Sequence, residues 1–366
     1  MRFGLIGLGA AGQLRKAALA RAPGCVLAAV FDVDRARTED VSPNVVVFPS
    51  DEALLKSDSC EAVIISTPPN SHEHLTVTAL ENGKHVLVEK PMADSVEACR
   101  RMLEGSRRAG RVLAVGFNHR YFAAIKVVRD AISSGTIGKL SYIRAYAGHT
   151  GLSEFGAPWM YARDVVGGGT LMDNGIHVLD LVCHLMGGVD HVCGTTSSRI
   201  WHLDVEDNAF VLLSNKAGVV AHLHTSWSEW KGYRFFIEAY GDRGMARGYY
   251  APMSAMLIAM DRPGGSRRIK RELYPFVAVR EKLFGWQSTA VRAFAEELQD
   301  FVALVHGRRE RALIASSEDG LRVLQIANAV YQSTVTADFI ALPTIPHGVG
   351  ESLPLAGAQT LTRLEN

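Results

Sequence analysis

The stretch Gly7-Leu8-Gly9-Ala10-Ala11-Gly12 decides how this chain is read. It follows a short apolar run, Phe3 to Ile6, and opens a helix-forming run, Gln13 to Arg21, so a strand turns through glycines into a helix. Gly7 permits the tight turn, Gly9 lets a pyrophosphate approach the backbone, and Gly12 allows the helix to pack closely on the strand. The first helical turn then offers N–H donors and a positive dipole end to the anion. Asp32 ends the next apolar run, Val26 to Phe31, about twenty residues beyond Gly12, where a carboxylate takes ribose hydroxyls and repels a 2′-phosphate. Leu8, Ala10 and Ala11 join the glycines as cofactor contacts. The spacing favours NAD over NADP, although Arg35 and Arg37 stand near enough to meet a 2′-phosphate if Asp32 turned aside.

Working outward, apolar runs at Val45–Phe48, Ala62–Ile65, His85–Val88 and Val112–Val115 alternate with helical stretches at His72–Glu81 and Ser95–Ala109. Ser95 suits an N-cap and Gly110 a C-terminal stop. This is the pattern of a doubly wound parallel sheet over residues 1–117. Beyond Gly116 the runs lengthen and alternate, at Leu140–Ala147, Asn208–Leu213, Val219–Trp227 and Phe235–Gly241, which predicts an antiparallel sheet. Asn215-Lys216-Ala217-Gly218 reads as a hairpin turn, and Ala290–His306 and Glu318–Thr336 read as closing helices. The expected division is therefore 1–117, 118–342 and a tail, 343–366, which lacks periodicity and either crosses to a neighbouring subunit or frays.

The bulk numbers agree with a two-domain globular chain. At 366 residues, 48% hydrophobic and 21% charged, it has neither a disordered nor a membrane composition, and a net charge of +1 gives no field to attract nucleic acid. Five scattered cysteines without a C-x-x-C pair suggest a reducing compartment. With no leader or spanning segment in view, the expected location is cytoplasmic.

Two further motifs carry chemistry. Ser66-Thr67-Pro68-Pro69-Asn70-Ser71-His72 leaves a strand at the carboxyl edge, where open α/β sheets bind ligands, which makes Ser66, Thr67, Pro68, Asn70 and His72 candidate cofactor contacts. Glu89-Lys90-Pro91 leaves the next strand, and Pro91 holds Lys90 out of the helical region, so its ammonium can be aimed at a reacting oxygen. In Gly167-Gly168-Gly169-Thr170-Leu171-Met172-Asp173-Asn174-Gly175-Ile176-His177, a helix from Leu171 to Leu185 would stand Asp173 and His177 one turn apart on one face. A carboxylate there orients an imidazole that serves as general base, with Asp180, a turn further on, competing for that role.

These residues together resemble the glucose-fructose oxidoreductase / inositol dehydrogenase / rhizopine catabolism family, Gfo/Idh/MocA, and the likeness runs over nearly the whole chain. It implies a Rossmann domain followed by an α/β domain with a large open, mainly antiparallel sheet. It also implies that Lys90, Asp173 and His177 meet beside the nicotinamide. Asn118 and Arg120, in Asn118-His119-Arg120-Tyr121, resemble the interdomain residues that contact cofactor or substrate, and Trp159 resembles an aromatic wall of the pocket. Asn174 departs from the pattern, in which that position is more often apolar.

The resemblance implies hydride transfer between a nicotinamide and a secondary alcohol or ketone of a sugar, cyclitol or sugar derivative, with Lys90 and His177 sharing the acid and base roles. Alternatives are a redox-neutral NAD-dependent glycosidase and a non-catalytic dinucleotide sensor, the latter disfavoured by the presence of Lys90. An open sheet also implies a homo-oligomer, a dimer or tetramer. His222 and His224 alternate on one strand but lack a third ligand, so no metal is expected. As metal ligands His72 and His74, near a helix start, are likewise passed over, being better explained by local hydrogen bonding. Arg267-Arg268-Ile269-Lys270-Arg271 reads as a solvated loop or, less simply, a phosphate grip.

Overall fold

The computed structural model describes residues 1–151, 158–308 and 313–345. The chain opens with β1 (Arg2–Ile6), α1 (Ala10–Leu19), β2 (Val26–Phe31), β3 (Val46–Val47), α2 (Asp51–Lys56), β4 (Ala62–Ile65), α3 (His72–Glu81), β5 (His85–Val88), α4 (Val96–Ala109) and β6 (Leu113–Val115). β4 is Ala-Val-Ile-Ile and buried throughout, as a strand covered on both faces must be. Local chemistry sets the helix ends: Ser95 Oγ accepts the Ala98 N–H, and Gly110 stops α4 in the left-handed region at φ +59°.

Next come α5 (Ala123–Ser133), β7 (Leu140–Gly148), α6 (Arg163–Val166), α7 (Ile176–Met186), β8 (His191–Ser197), β9 (Asn208–Ser214), β10 (Val220–Ser226), β11 (Arg234–Gly241), β12 (Gly244–Tyr250), β13 (Ser254–Met260) and β14 (Arg267–Leu273). The chain then forms α8 (Pro275–Phe284), α9 (Gln287–Val305), β15 (Ala315–Ser316), α10 (Ser317–Thr336) and β16 (Ile340–Ala341).

Two sheets result. The first, ordered β15-β6-β5-β4-β1-β2-β3, is parallel except for β15, and its order reverses between β1 and β4, where the glycine loop and Ser66 emerge. The second, ordered β14-β13-β12-β11-β7-β10-β9-β8-β16, is antiparallel except for the β7–β10 pair. Its inner face buries Ile143, Ala145, Val211, Leu213, Leu223 and Ile237. α5, α7 and α10 pack against this sheet. On its outer face Tyr142, Phe210, Leu212 and Val220 remain exposed, with Tyr142 stacked on Tyr240 and Phe210 on His224. This is the α/β architecture, Rossmann sheet plus large open sheet, that the sequence implied.

Three expectations change. β15 adds an edge to the first sheet beside β6, and α9 packs on α1, burying Leu298 and Phe301 with Phe3 and Leu5. α9, Ile314 and β15 thus lie against the first sheet, although the sequence reading placed them in the second unit. Residues 267–271 are not a loop: they form most of β14, an edge strand whose apolar residues, Ile269 and Leu273, stay exposed, which is why no alternation announced it. Finally, the helix expected from Leu171 starts with a π turn, Leu171–Gly175, and becomes α-helical only at Ile176. Of the tail, Ile345 is buried and Pro343 accepts a hydrogen bond from Arg322, while residues 346–366 lie outside the described residues.

Candidate active site

The three glycines of the opening loop are confined in different ways. Gly7 has φ +87°, and a Cβ there would lie 2.7 Å from the Ser66 carbonyl oxygen; one on Gly12 would lie 2.0 Å from the Gly7 oxygen. A Cβ on Gly9 would meet only Arg37 Nη1, at 3.6 Å. Gly7 and Gly12 thus serve internal packing, and Gly9 presents open backbone. Gly9 caps α1 without a side chain, so the helix start keeps its N–H donors for an anion. Asp32 is buried at the end of β2, accepting N–H bonds from Leu8 at 2.5 Å and Asp34 at 2.8 Å, with Arg37 Nη1 at 3.7 Å. An open glycine face, an uncapped helix and a buried carboxylate fit the pyrophosphate and ribose of a dinucleotide.

The loop after β4 is tied to the loop after β5. His72 is fully buried, with Nε2 2.8 Å from the Thr67 carbonyl and Nδ1 3.0 Å from the Pro91 carbonyl. A neutral ring donates to one of these oxygens and lies against the other, bracing the cofactor-side loops instead of facing a ligand. Thr67 Oγ1 accepts from Ser71 at 2.6 Å, while Ser66 Oγ is buried without a partner. Pro68 leads into the short turn Pro69–Ser71, on which Asn70 is exposed.

Glu89 is buried and accepts from Arg15 Nε at 2.6 Å, while its other oxygen takes the Lys90 N–H at 3.2 Å. Arg15, with no exposed surface, also pairs with Glu297 at 2.5 Å and lies over the Phe294 ring. One cation between two buried carboxylates leaves a negative excess; burial pushes the Glu297 carboxyl up to about 7 against the pull of Arg15.

Lys90 Nζ then reaches Asp173, 3.1 Å from its carbonyl oxygen and 3.5 Å from Oδ1. Oδ2 of Asp173 takes His149 Nε2 at 3.0 Å and Trp227 Nε1 at 3.2 Å. Burial would raise this carboxyl, but Lys90, His149 and Trp227 outweigh it and hold it well below the usual carboxylate range. The structure thus brings Lys90 and Asp173 together but corrects the expected Asp173–His177 pair. The π turn changes the phase between them, and His177 Nδ1 is buried without a hydrogen-bond partner. His177 stacks instead on His119, ring centroids 3.9 Å apart. Burial, then the neighbouring His119 and Lys90, keep the His177 imidazole neutral well below its ordinary value; His119 is held at about 3 for the same reason.

Asp180 does not compete for His177. It binds Arg120 through both oxygens, at 2.5 and 2.8 Å, and Arg120 also meets Asp319 and the Leu313 carbonyl. Arg120, expected at the cofactor or substrate, is a buried structural cation here. Asn118 is buried on the same turn, and Trp159 is 41% exposed on the turn Pro158–Tyr161. Asn174 Nδ2 is buried without a partner beside Asp173.

The sequence reading missed His149 and Trp227, which lie at or just beyond the ends of β7 and β10, and His119, which sits inside a motif noticed for its neighbours. Strand-end position was the only signal for the first two. His224 bonds Asn208 at 3.0 Å, and the described residues contain no cluster of His, Cys, Asp and Glu fit for a metal.

Residues 1–117 match the family profile described as an oxidoreductase family with an NAD-binding Rossmann fold, and residues 125–247 match the GFO/IDH/MocA C-terminal domain. The myo-inositol 2-dehydrogenase of Thermotoga maritima is 28% identical over 341 residues, covering 91% of this chain and 96% of that protein. The D-glucoside 3-dehydrogenase of Escherichia coli is 30% identical over 206 residues, 50% of this chain and 57% of its own. An oxidoreductase domain protein from Kribbella flavida superimposes with a TM-score of 0.82 at 24% identity, over 93% of this chain and 99% of its own. Levoglucosan dehydrogenase, solved with NADH and levoglucosan, does so with a TM-score of 0.80 at 21% identity, over 94% and 100%. The last two likenesses concern the fold.

Proposed function

This chain belongs to the Gfo/Idh/MocA family of NAD-binding oxidoreductases, and from that premise we propose that it oxidises a secondary alcohol of a sugar or cyclitol, or reduces the corresponding ketone. The observation that carries the reading is the meeting of Lys90 with Asp173 at the carboxyl edge of the first sheet, with His177 and His119 stacked in the same neighbourhood. The relatives named above act on inositol and on D-glucosides, which supports a polyhydroxylated substrate.

When bound at the glycine loop, NAD supplies the hydride acceptor. Gly9 and the start of α1 hold its pyrophosphate, and Asp32 its ribose hydroxyls. Asp173, an anion, holds the Lys90 ammonium, which polarises the substrate oxygen. His177, a neutral imidazole, takes the hydroxyl proton. Lys90, Asp173 and His177 are thus the proposed catalytic residues. Trp159 and Asn118 are the proposed contacts for substrate and cofactor, whereas Arg120 is engaged by Asp180, Asp319 and the Leu313 carbonyl.

The test is to incubate the purified protein with NAD and a panel containing myo-inositol, methyl glucosides and levoglucosan. NADH absorbance with at least one member is the expected result. Glycoside cleavage without net NADH would replace dehydrogenation by a redox-neutral reaction, and no change with any alcohol or its ketone would overturn the reading. The exposed aromatic outer face of the second sheet supports a homo-oligomer through that face. Among the described residues no helix is long and apolar enough to cross a membrane.

A further inference from the structure

Three elements far apart in the chain converge on Asp173. Its Oδ2 takes two neutral donors, His149 from beyond β7 and Trp227 from beyond β10, and its Oδ1 faces Lys90 from the loop after β5. The tautomer of His149 is decided by the backbone. The Gly151 N–H donates to His149 Nδ1 at 2.9 Å, so Nδ1 carries a lone pair and the proton sits on Nε2, facing the carboxylate. A doubly protonated ring would set two N–H groups against each other.

Gly151 can hold that N–H in place because it is glycine. Its φ is +67°, and a Cβ there would lie 2.6 Å from the Trp227 carbonyl and 2.7 Å from Trp201 Nε1. Trp201 Nε1 in turn donates to the Trp227 carbonyl at 2.9 Å, which fastens the second donor. Both donors to Oδ2 are thereby fixed by contacts outside the carboxylate they serve.

We infer that His149 is the positioning residue of this site: locked as the neutral Nε2–H tautomer, it fixes the orientation of the Asp173 carboxylate, and Asp173 in turn aims the Lys90 side chain. His177 stands outside this chain of contacts as a separate neutral base. The inference rests on the proposed function for the role of Lys90 and adds a residue that neither the motifs nor the comparisons single out. The groups facing Asp173 are Lys90, His149 and Trp227, with Tyr233, whose hydroxyl its charge pushes further up, close by. Losing the His149 donor leaves a partly buried carboxylate with one donor fewer, so its proton affinity rises.

The experiment uses the full-length protein in two NMR measurements that need no substrate. The ¹⁵N shifts of the imidazoles should show His149 with an unprotonated Nδ1 and a protonated Nε2. The ¹³Cγ titration of Asp173 should move up by about one pH unit or more in His149→Phe and return toward the wild-type position in His149→Gln, whose amide can donate. With a turned-over polyol, kcat should fall in His149→Phe with a smaller change in KM and recover in part in His149→Gln, while the acid limb due to His177 stays in place. A His149 protonated on Nδ1, or an Asp173 titration that His149→Phe leaves in place, overturns the inference. The tautomer measurement decides even if the Phe variant fails to fold. If the wild type oxidises none of the polyols, the dehydrogenase reading falls, and the two NMR measurements still decide on His149.

Discussion

Lys90 and His177 reach the reaction zone in different charge states, and that difference is measurable. Lys90→Met should lower kcat by roughly 10²–10⁴ while leaving NADH affinity, followed by fluorescence quenching, near the wild-type value. His177→Ala should lower kcat over a similar range. Because burial keeps the His177 imidazole neutral, the acid limb due to this base should appear only as pH falls well below the ordinary value of 6.5. A kcat/KM profile for alcohol oxidation with an imidazole limb at or above that value would contradict the assignment. Arg120 answers to a different measurement. Removing its charge strands Asp180 and Asp319, so Arg120→Ala should cost about 3–5 kcal/mol in urea unfolding. The glycine loop, Lys90 and Asp173 were legible in the sequence because spacing along one strand or loop places them. The partner of Asp173 was not, since one π turn redirects a side chain without leaving any mark in the spacing.

Among elements, the contact between α1, the Lys90 loop and α9 is where pH should act on stability. Glu297 is pushed up to about 7 in the folded protein from an ordinary value of 4.5, so the native state binds its proton more tightly than the unfolded chain does. Its contribution is complete below the ordinary value and is lost as pH rises through about 7. Glu297→Gln should therefore flatten this part of the pH dependence. It should also change stability at pH 8 relative to pH 5 by the order of 2–3 kcal/mol, read from thermal unfolding at the two values. A variant that keeps the wild-type pH dependence would show that Glu297 does not carry this titration. The helices and parallel strands of this region were legible through caps and continuous apolar runs. Edge strands such as β14 were not, because a strand exposed on both faces has no alternation to read.

On the scale of the whole molecule, the outer face of the second sheet leaves Tyr142, Phe210, Leu212 and Val220 in solvent, and Phe276, Leu283 and Phe284 of α8 are exposed as well. Sedimentation at micromolar concentration should find a dimer or larger species, and Phe210→Glu should shift it toward the monomer. A second measurement concerns the joining of the two ends of the chain. Phe301, fully buried against Phe3 with ring centroids 6.0 Å apart, should cost about 3–5 kcal/mol as Phe301→Ala. A fragment of residues 1–117 should fail to fold as a cooperative unit, for it lacks α9 and β15. The sequence showed the two sheets but not this return, because nothing in the local pattern of α9 or β15 says which sheet they will join.

β15 also has a meaning for the chain while it is being made. The nucleotide-binding sheet begins at residue 2, yet its last edge is closed by Ala315 and Ser316, about two hundred residues after β6. At ribosomal speeds that interval lasts roughly 10–40 s, during which β6 offers a bare hydrogen-bonding edge and α1 an uncovered apolar face. In that interval the nascent chain shows together the two features, an unpaired strand edge and an apolar helix face, through which partly made proteins associate.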